Sequence, residues 1–279
     1  MPKSLSDAAV AQYRRDGIYF PVPVFTPEEA AGYRAKLEAF EREQGAVRHK
    51  KMFKTHLILT WVDEIIRQPK ILDAVESILG PNLLCWNTHW FIKEPGDERY
   101  ISWHQDLVYW HLEPDEAITA WIALSPATVE SGAMRMVPGT QTREVLEHRD
   151  TWNSKSMLTR GQEMAVEVDE KDAVDVLLQP GEMSLHHHKI FHGSNANRSA
   201  DRRIGLAVRY IPTHVRQVAI NDDTAALVRG RDDYGHFKLE PRPTRDLDPE
   251  ALALQEIAAQ NQARILYTGT DRATFRPDL

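Results

Sequence analysis

The sequence predicts a mainly β fold with flanking helices: a jelly-roll, cupin-like core under an N-terminal helical layer. Three observations carry that reading. Up to about residue 80, apolar residues recur at helical spacing. From about residue 81 to residue 215 they fall in short runs cut by turn signals such as Pro95-Gly96 and Pro138-Gly139. An extension of about residues 216–279 comes last, with one more helical stretch. Helices first and many short strands afterwards fit one β-rich core, and the strand spacing fits a double-sheet jelly roll. Residues 1–279 are read as one domain.

Ser6 caps a first helix from Asp7 to Asp16, with Ala9, Val10 and Tyr13 on one face, and Gly17 ends it. Ile18 to Val22 is a short strand. Thr26-Pro27-Glu28-Glu29 starts a second helix, because a capping hydroxyl, a first-turn proline and two acids all suit a helix N-terminus. It runs to about Gln44 over Ala30, Tyr33, Leu37 and Phe40. Gly45 to Lys54 is basic and loop-like. His56 to Leu79 is helical, interrupted near Pro69 and stopped by Gly80-Pro81. The strands are Leu83 to Lys93, Tyr100 to Val108, Ala117 to Leu124, Gly132 to Val137, Met164 to Val168, Gly181 to His187 and Ile204 to Ile211. Thr142 to Asp175 is long and polar, the mark of an insertion near a site mouth. Asp248-Pro249-Glu250 starts a last helix that reaches about Ile265.

Composition narrows the partners. Charged residues are 27% of the chain, net charge is −7, and no Lys/Arg block stands out, which argues against nucleic acid. Cys85 is the only cysteine, so no intramolecular disulfide can form, as suits a reducing cytoplasm. Met1 to Asp7 lacks a signal-peptide apolar stretch, and no apolar run reaches membrane-spanning length. The expectation is a cytoplasmic protein with a small-molecule substrate and no membrane partner.

His104-Gln105-Asp106 lies in an otherwise apolar stretch. On a strand, positions i and i+2 share a face, so both side chains can reach one point. A carboxylate there must find a charge partner or take up a proton, and a divalent metal is the simplest partner. Downstream, His186, His187, His188 and His192 all offer a third ligand, and on spacing alone His188 competes with His192. The residues after His192 decide for it: Gly193 allows close approach, Ser194 offers a hydroxyl, and Arg203 presents a fork of donors suited to a carboxylate. Two histidines and one carboxylate form the donor set of non-haem Fe(II) sites.

Three blocks, His104-Gln105-Asp106, Glu130 through Gly139 (Glu-Ser-Gly-Ala-Met-Arg-Met-Val-Pro-Gly), and His192-Gly193-Ser194 with Asn197-Arg198-Ser199 and Arg203, resemble the phytanoyl-CoA dioxygenase family. The resemblance covers about Thr55 to Thr213. It implies a double-stranded β-helix and an Fe(II)/2-oxoglutarate oxygenase that consumes O₂. It implies iron ligation by His104, Asp106 and His192, with Arg203 and Ser194 on the distal carboxylate of 2-oxoglutarate and Asn87 near the cosubstrate. Pro138-Gly139-Thr140-Gln141 departs from the family's frequent Pro-Gly-Ser-His. Related halogenases carry a small residue where this chain has Asp106, so the resemblance implies hydroxylation.

Trp90, Trp103, Tyr109, Trp110 and Trp121 cluster on the strands nearest the triad. Asp106-Leu107-Val108-Tyr109-Trp110-His111 parallels ectoine-hydroxylating family members, in which the matching tryptophan lines the substrate. Trp110 and Tyr109 are therefore expected in a substrate wall, with Lys54, Arg160 and Arg209 as cations for an anionic end. The expected substrate is a small zwitterionic metabolite, such as an aminoalkylphosphonate or a quaternary ammonium compound, hydroxylated at an aliphatic carbon. A natural-product or acyl substrate is the alternative within the family. A cupin-like metal-dependent hydrolase or isomerase is the alternative from another class, and it has no need of an Arg203–Ser194 anchor.

Overall fold

A computed structural model describes residues 5–272 and 274–276, so the first four residues of the stretch tested for a signal peptide lie outside the described residues. Helix α1 (Asp7–Asp16) is capped by Ser6 and closed by Gly17 in the left-handed region. Helix α2 (Pro27–Gln44) begins with a reciprocal capping box between Thr26 and Glu29. The third helical stretch splits at Pro69 into α3 (Thr60–Ile66) and α4 (Pro69–Leu79). Helix α5 (Pro249–Leu266) stands in the C-terminal extension. Among the described residues no helix is long and apolar enough to cross a membrane.

Two mainly antiparallel sheets form the core. The larger has the order β1 (Ile18–Pro23), β10 (Glu182–His187), β5 (Ile118–Ala123), β12 (Arg203–Pro212), β2 (Leu83–Lys93), β14 (Thr224–Arg229) and β15 (Lys238–Leu239). The smaller has the order β3 (Ile101–His104), β11 (Phe191–Ser194), β6 (Met134–Val137) and β9 (Val174–Asp175). Strand alternation gives the larger sheet two chemically distinct faces. One carries Ile118, Ala120, Ile122, Leu185, Leu206 and Val208 against Leu37, Phe40, Trp61, Ile65, Ile71 and Val75 of the helical layer. The other carries Phe91, Trp121 and Ala207, which pack on Met134 and Met136 of the smaller sheet. Polar residues share that inner face: Asn87, His89 and Lys93 on β2, Thr119 on β5, His186 on β10, and Arg203 and Arg209 on β12. This polar inner face is where a site can form.

Two strand expectations are corrected. The stretch Tyr100 to Val108 is extended only over Ile101–His104, and Asp106–Tyr109 is a 3₁₀ turn. The chain turns there because β3 pairs with β11 only as far as His104, while the Leu107 amide bonds to the His188 carbonyl at 3.1 Å. Met164 to Val168 is likewise not a strand. Instead β8 (Gln162–Met164) pairs with β7 (His148–Asp150), a hairpin within the insertion. A last short pair joins β4 (Leu112–Glu113) to β13 (Arg216–Gln217).

Gly205 shows how tightly the inner face is packed. A Cβ there would lie 1.8 Å from Cζ2 of the Trp121 indole on β5. Gly205→Ala is expected to destabilise the protein by about 1–3 kcal/mol, as overpacked core sites do. Thermal unfolding should show a melting temperature lower by several degrees. A melt unchanged from wild type would show that Trp121 has somewhere else to go.

Candidate active site

His104 closes β3, and His192 is its register partner on β11. Their ring centroids are 4.0 Å apart. Each ring is fixed by its own strand: His104 Nδ1 donates to the Ser102 carbonyl and His192 Nδ1 to the Ile190 carbonyl, both at 2.9 Å. That pattern leaves Nε2 of each ring as a lone-pair donor aimed at one point. Asp106 supplies the third ligand from the turn. Its Oδ1 is 3.4 Å from His104 Nε2 and its Oδ2 is 4.0 Å from His192 Nε2. Ligand atoms of all three residues lie within 4.8 Å of one another, and all three side chains are buried.

Electrostatics suit a cation. Burial alone would raise the Asp106 carboxyl, but the adjacent His104 and His192 and the Arg209 guanidinium outweigh it and hold it well below the usual carboxylate range. Burial, with His104 beside it, pulls His192 down to about 4, so the ring is neutral and able to ligate at neutral pH. A buried N₂O set with fixed tautomers and no fourth protein ligand among the described residues fits a non-haem iron.

Two chambers meet at the triad. Both include Phe91, His104, Asp106, Leu158 and Arg209. The first extends between the sheets past Thr119, Trp121 and His186 to Arg203. Arg203 is fully buried, its guanidinium lies 5.3 Å from the Trp121 ring centre, and none of its three nitrogens has a hydrogen-bond partner among the described residues. The second runs toward Phe53, Asn87, His89, Tyr109, Trp110 and Gln262. The two chambers offer places for two different molecules on one metal.

The phytanoyl-CoA dioxygenase (PhyH) family model matches residues 13–205. The chain belongs to the phytanoyl-CoA dioxygenase family. Family members are non-haem iron, 2-oxoglutarate-dependent dioxygenases, and the His–Asp–His triad of that chemistry is present. A probable α-ketoglutarate-dependent hypophosphite dioxygenase of Stutzerimonas stutzeri is 28% identical over 174 residues, or 61% of this chain and 60% of that protein. An L-proline trans-4-hydroxylase of Streptomyces griseoviridis is 26% identical over 74% of this chain and 86% of that one. The ectoine dioxygenase of Bordetella parapertussis aligns over only 50% of its own length, at 24% identity. Among solved structures, the non-heme monooxygenase ThoJ is 37% identical, with a TM-score of 0.80 over 91% of this chain and 96% of that one. CytC3 with Fe(II) and α-ketoglutarate shares the fold at 24% identity and a TM-score of 0.67, over 88% and 96% of the two chains.

In this phytanoyl-CoA dioxygenase family member the structure brings His104, Asp106, His192 and Arg203 to one cavity. His188 is not a competitor: its Nδ1 bonds to the Ala117 carbonyl at 2.9 Å and its ring stacks on Trp110. Ser194 lies beside the Arg203 end, where its hydroxyl accepts a bond from Lys93 Nζ at 2.8 Å. Asn87 lies in the second chamber, six residues along β2 from Lys93 and opposite Arg209. It is thus on the other side of the triad from Arg203. Trp110 and Tyr109 line the second chamber.

Lys54 and Arg160 do not serve as free cations there. Lys54 is buried in an ion pair with Glu240 at 2.6 Å and donates to the Thr224 carbonyl. Arg160 is held by Asp150 and by the Thr268 carbonyl, over the face of Tyr109. Only Arg209 of the three reaches the chamber, 4.9 Å over Trp110.

Sequence reasoning missed Lys93 and Gln262. Lys93 could have been found, because it sits at the end of a strand facing Arg203. Gln262 could not, because nothing local places one face of α5 against the metal chamber. The motif residue Asn197 now has a structural role: its amide donates to the Lys93, Glu94 and Asp201 carbonyls and pins the loop that leads into Arg203. The divergent Gln141 ties the end of α1 instead, donating to the Arg14 and Arg15 carbonyls.

Proposed function

We propose that this chain is an Fe(II)/2-oxoglutarate-dependent hydroxylase on a double-stranded β-helix, acting on an aliphatic C–H of a small metabolite with an anionic end. The observation that carries the reading is Arg203: a buried guanidinium without a partner at the far end of a chamber that opens on the triad. Leaving such a charge unpaired is costly, and a carboxylate of the cosubstrate is the partner it fits. Lys93 adds a second nitrogen donor there and Ser194 a hydroxyl. His104, Asp106 and His192 would hold the iron, and the bound metal would supply O₂-dependent oxidation of the C–H coupled to decarboxylation of 2-oxoglutarate. The aromatic second chamber would position the substrate carbon and exclude water. Asp106 occupies the third ligand position, which favours hydroxylation over halogenation. A hydrolase on the same barrel has no use for a buried anion anchor.

For the substrate, the chamber supports the anionic end of a zwitterion better than the cationic end. Arg209 is available to an anion. The faces of Trp110 and Tyr109 are covered by Arg209 and Arg160, and Phe53 stacks on His89 at 4.2 Å. Among the described lining residues, Asp106 is the only carboxylate. The test is succinate release across a panel of small carboxylates, phosphonates and amino acids. Turnover confined to long acyl thioesters or bulky neutral scaffolds would sink the substrate reading.

Lys93 gives a second prediction. Burial, then the neighbouring Arg203, lowers its ammonium from the ordinary lysine range to about 6. The folded state therefore disfavours the proton. Its contribution to stability is full above the ordinary lysine value and falls as pH drops toward 6. Lys93→Met is expected to reduce the stability lost between pH 9 and pH 7 without 2-oxoglutarate, yet to weaken 2-oxoglutarate binding about tenfold or more. Melts at the two pH values and a binding titration check both halves.

A further inference from the structure

We propose that Asn87 and Gln262 form a neutral recognition pair that reads an amide next to the substrate's carboxylate, so that the substrate class is an α-amido acid: an N-acylated amino acid or the C-terminal end of a short peptide. The proposal rests on the hydroxylase reading above and deepens it. Gln262 is fully buried on α5, and its Oε1 accepts from Asn87 Nδ2 at 2.9 Å. Asn87 is 2% exposed. That bond locks the two carboxamides side by side and leaves Asn87 Oδ1 and Gln262 Nε2 without a partner among the described residues. Both residues line the second chamber, and each keeps one unfilled group, an acceptor on Asn87 and a donor on Gln262. Exchanging O and N in both amides leaves the same inventory, one of each.

The other buried amides of α5 are spoken for. Gln255 donates to the Phe53 carbonyl and Asn261 to the Asp222 carbonyl. Gln262 alone among these buried amides lines the second chamber and keeps an unfilled donor. Buried polar groups are kept where something satisfies them. A ligand N–H on Asn87 Oδ1 and a ligand C=O on Gln262 Nε2 would satisfy both, which is the pattern of an amide.

Arg209 sets the second half of the pattern. It is the register partner of Asn87 across β12 and β2, so their side chains are neighbours on the inner face. A carboxylate at Arg209 and an amide at Asn87–Gln262 would then be held by neighbouring side chains, as in a molecule that carries both groups on one carbon. A free ammonium in place of the amide would find no carboxylate other than Asp106 among the described lining residues. The carbon between or beside these groups is the one presented to the triad.

The test uses the full chain, anaerobic, loaded with Fe(II) and 2-oxoglutarate, with the visible charge-transfer band as a binding signal that needs no turnover. N-acetyl-alanine and N-acetyl-valine are titrated against the free amino acids. The expected result is a saturable band shift with the N-acetyl compounds, at concentrations about tenfold or more below those the free acids require. Gln262→Leu should weaken the N-acetyl response by about tenfold or more while leaving the band itself intact. Gln262→Glu keeps an acceptor for Asn87 and should reverse the preference toward the free amines. If the band forms but the N-acetyl compounds leave it unmoved, or both variants respond as wild type does, the two amides serve only ordered water and the proposal is overturned. If the band never forms, the hydroxylase reading itself fails, and this proposal with it.

Discussion

Asp106→Ala is expected to abolish turnover and to weaken Fe(II) binding by at least about 100-fold, the upper range seen when mere supporting groups of a metal site are lost. Asp106 is the only anionic ligand in the cluster, and it is held ionised despite burial. Two neutral imidazoles remain in the variant, with no charge to offset the cation. His104 and His192 keep their backbone bonds to Ser102 and Ile190, so the ring positions should survive. Iron retained per chain after anaerobic gel filtration is the readout, with the far-ultraviolet spectrum as the control for folding. Near-stoichiometric iron in a folded Asp106→Ala protein would contradict the need for the Asp106 carboxylate in holding the metal.

Arg203→Met should raise the 2-oxoglutarate dissociation constant by about 100-fold to 1,000-fold, the equivalent of about 3–4 kcal/mol for a buried ion pair that has lost one partner. The same substitution should leave the protein without 2-oxoglutarate as stable as wild type or more so. The two effects have opposite signs because Arg203 is buried and unpartnered until an anion arrives. Burial already pulls its guanidinium down to about 10. A residue kept only for structure would lose stability on replacement and leave 2-oxoglutarate affinity alone. Calorimetric titration and a melt on the same preparations separate the two cases.

Much of this site was legible from residue order because its parts are local or motif-bound. His104 and Asp106 are two apart, and Arg203 comes after His192 along one loop and strand. Capping chemistry made α1, α2 and α5 readable to within a residue or two, since Ser6, Thr26 and Asp248 each bond to their own first turn. The route by which Asp106 reaches the metal was not legible. A strand was expected where a 3₁₀ turn begins, because the apolar run through Tyr109 matches either and only pairing with β11 decides. The cations were misassigned for a related reason. Lys54, Arg160 and Arg209 look alike in sequence, but the acids that engage the first two, Glu240 and Asp150, are 186 and 10 residues away. Gln262 comes from an extension beyond the matched family region and meets Asn87 across 175 residues.

The most direct measurement is an anaerobic titration of the metal-free protein with Fe(II) and then 2-oxoglutarate, monitored in the visible. The predicted result is a charge-transfer band that saturates at one 2-oxoglutarate per chain, is absent in Asp106→Ala, and in Arg203→Met is reached only at much higher 2-oxoglutarate. A fully metallated wild-type protein that develops no such band would contradict the assignment of His104, Asp106, His192 and Arg203 to iron and cosubstrate.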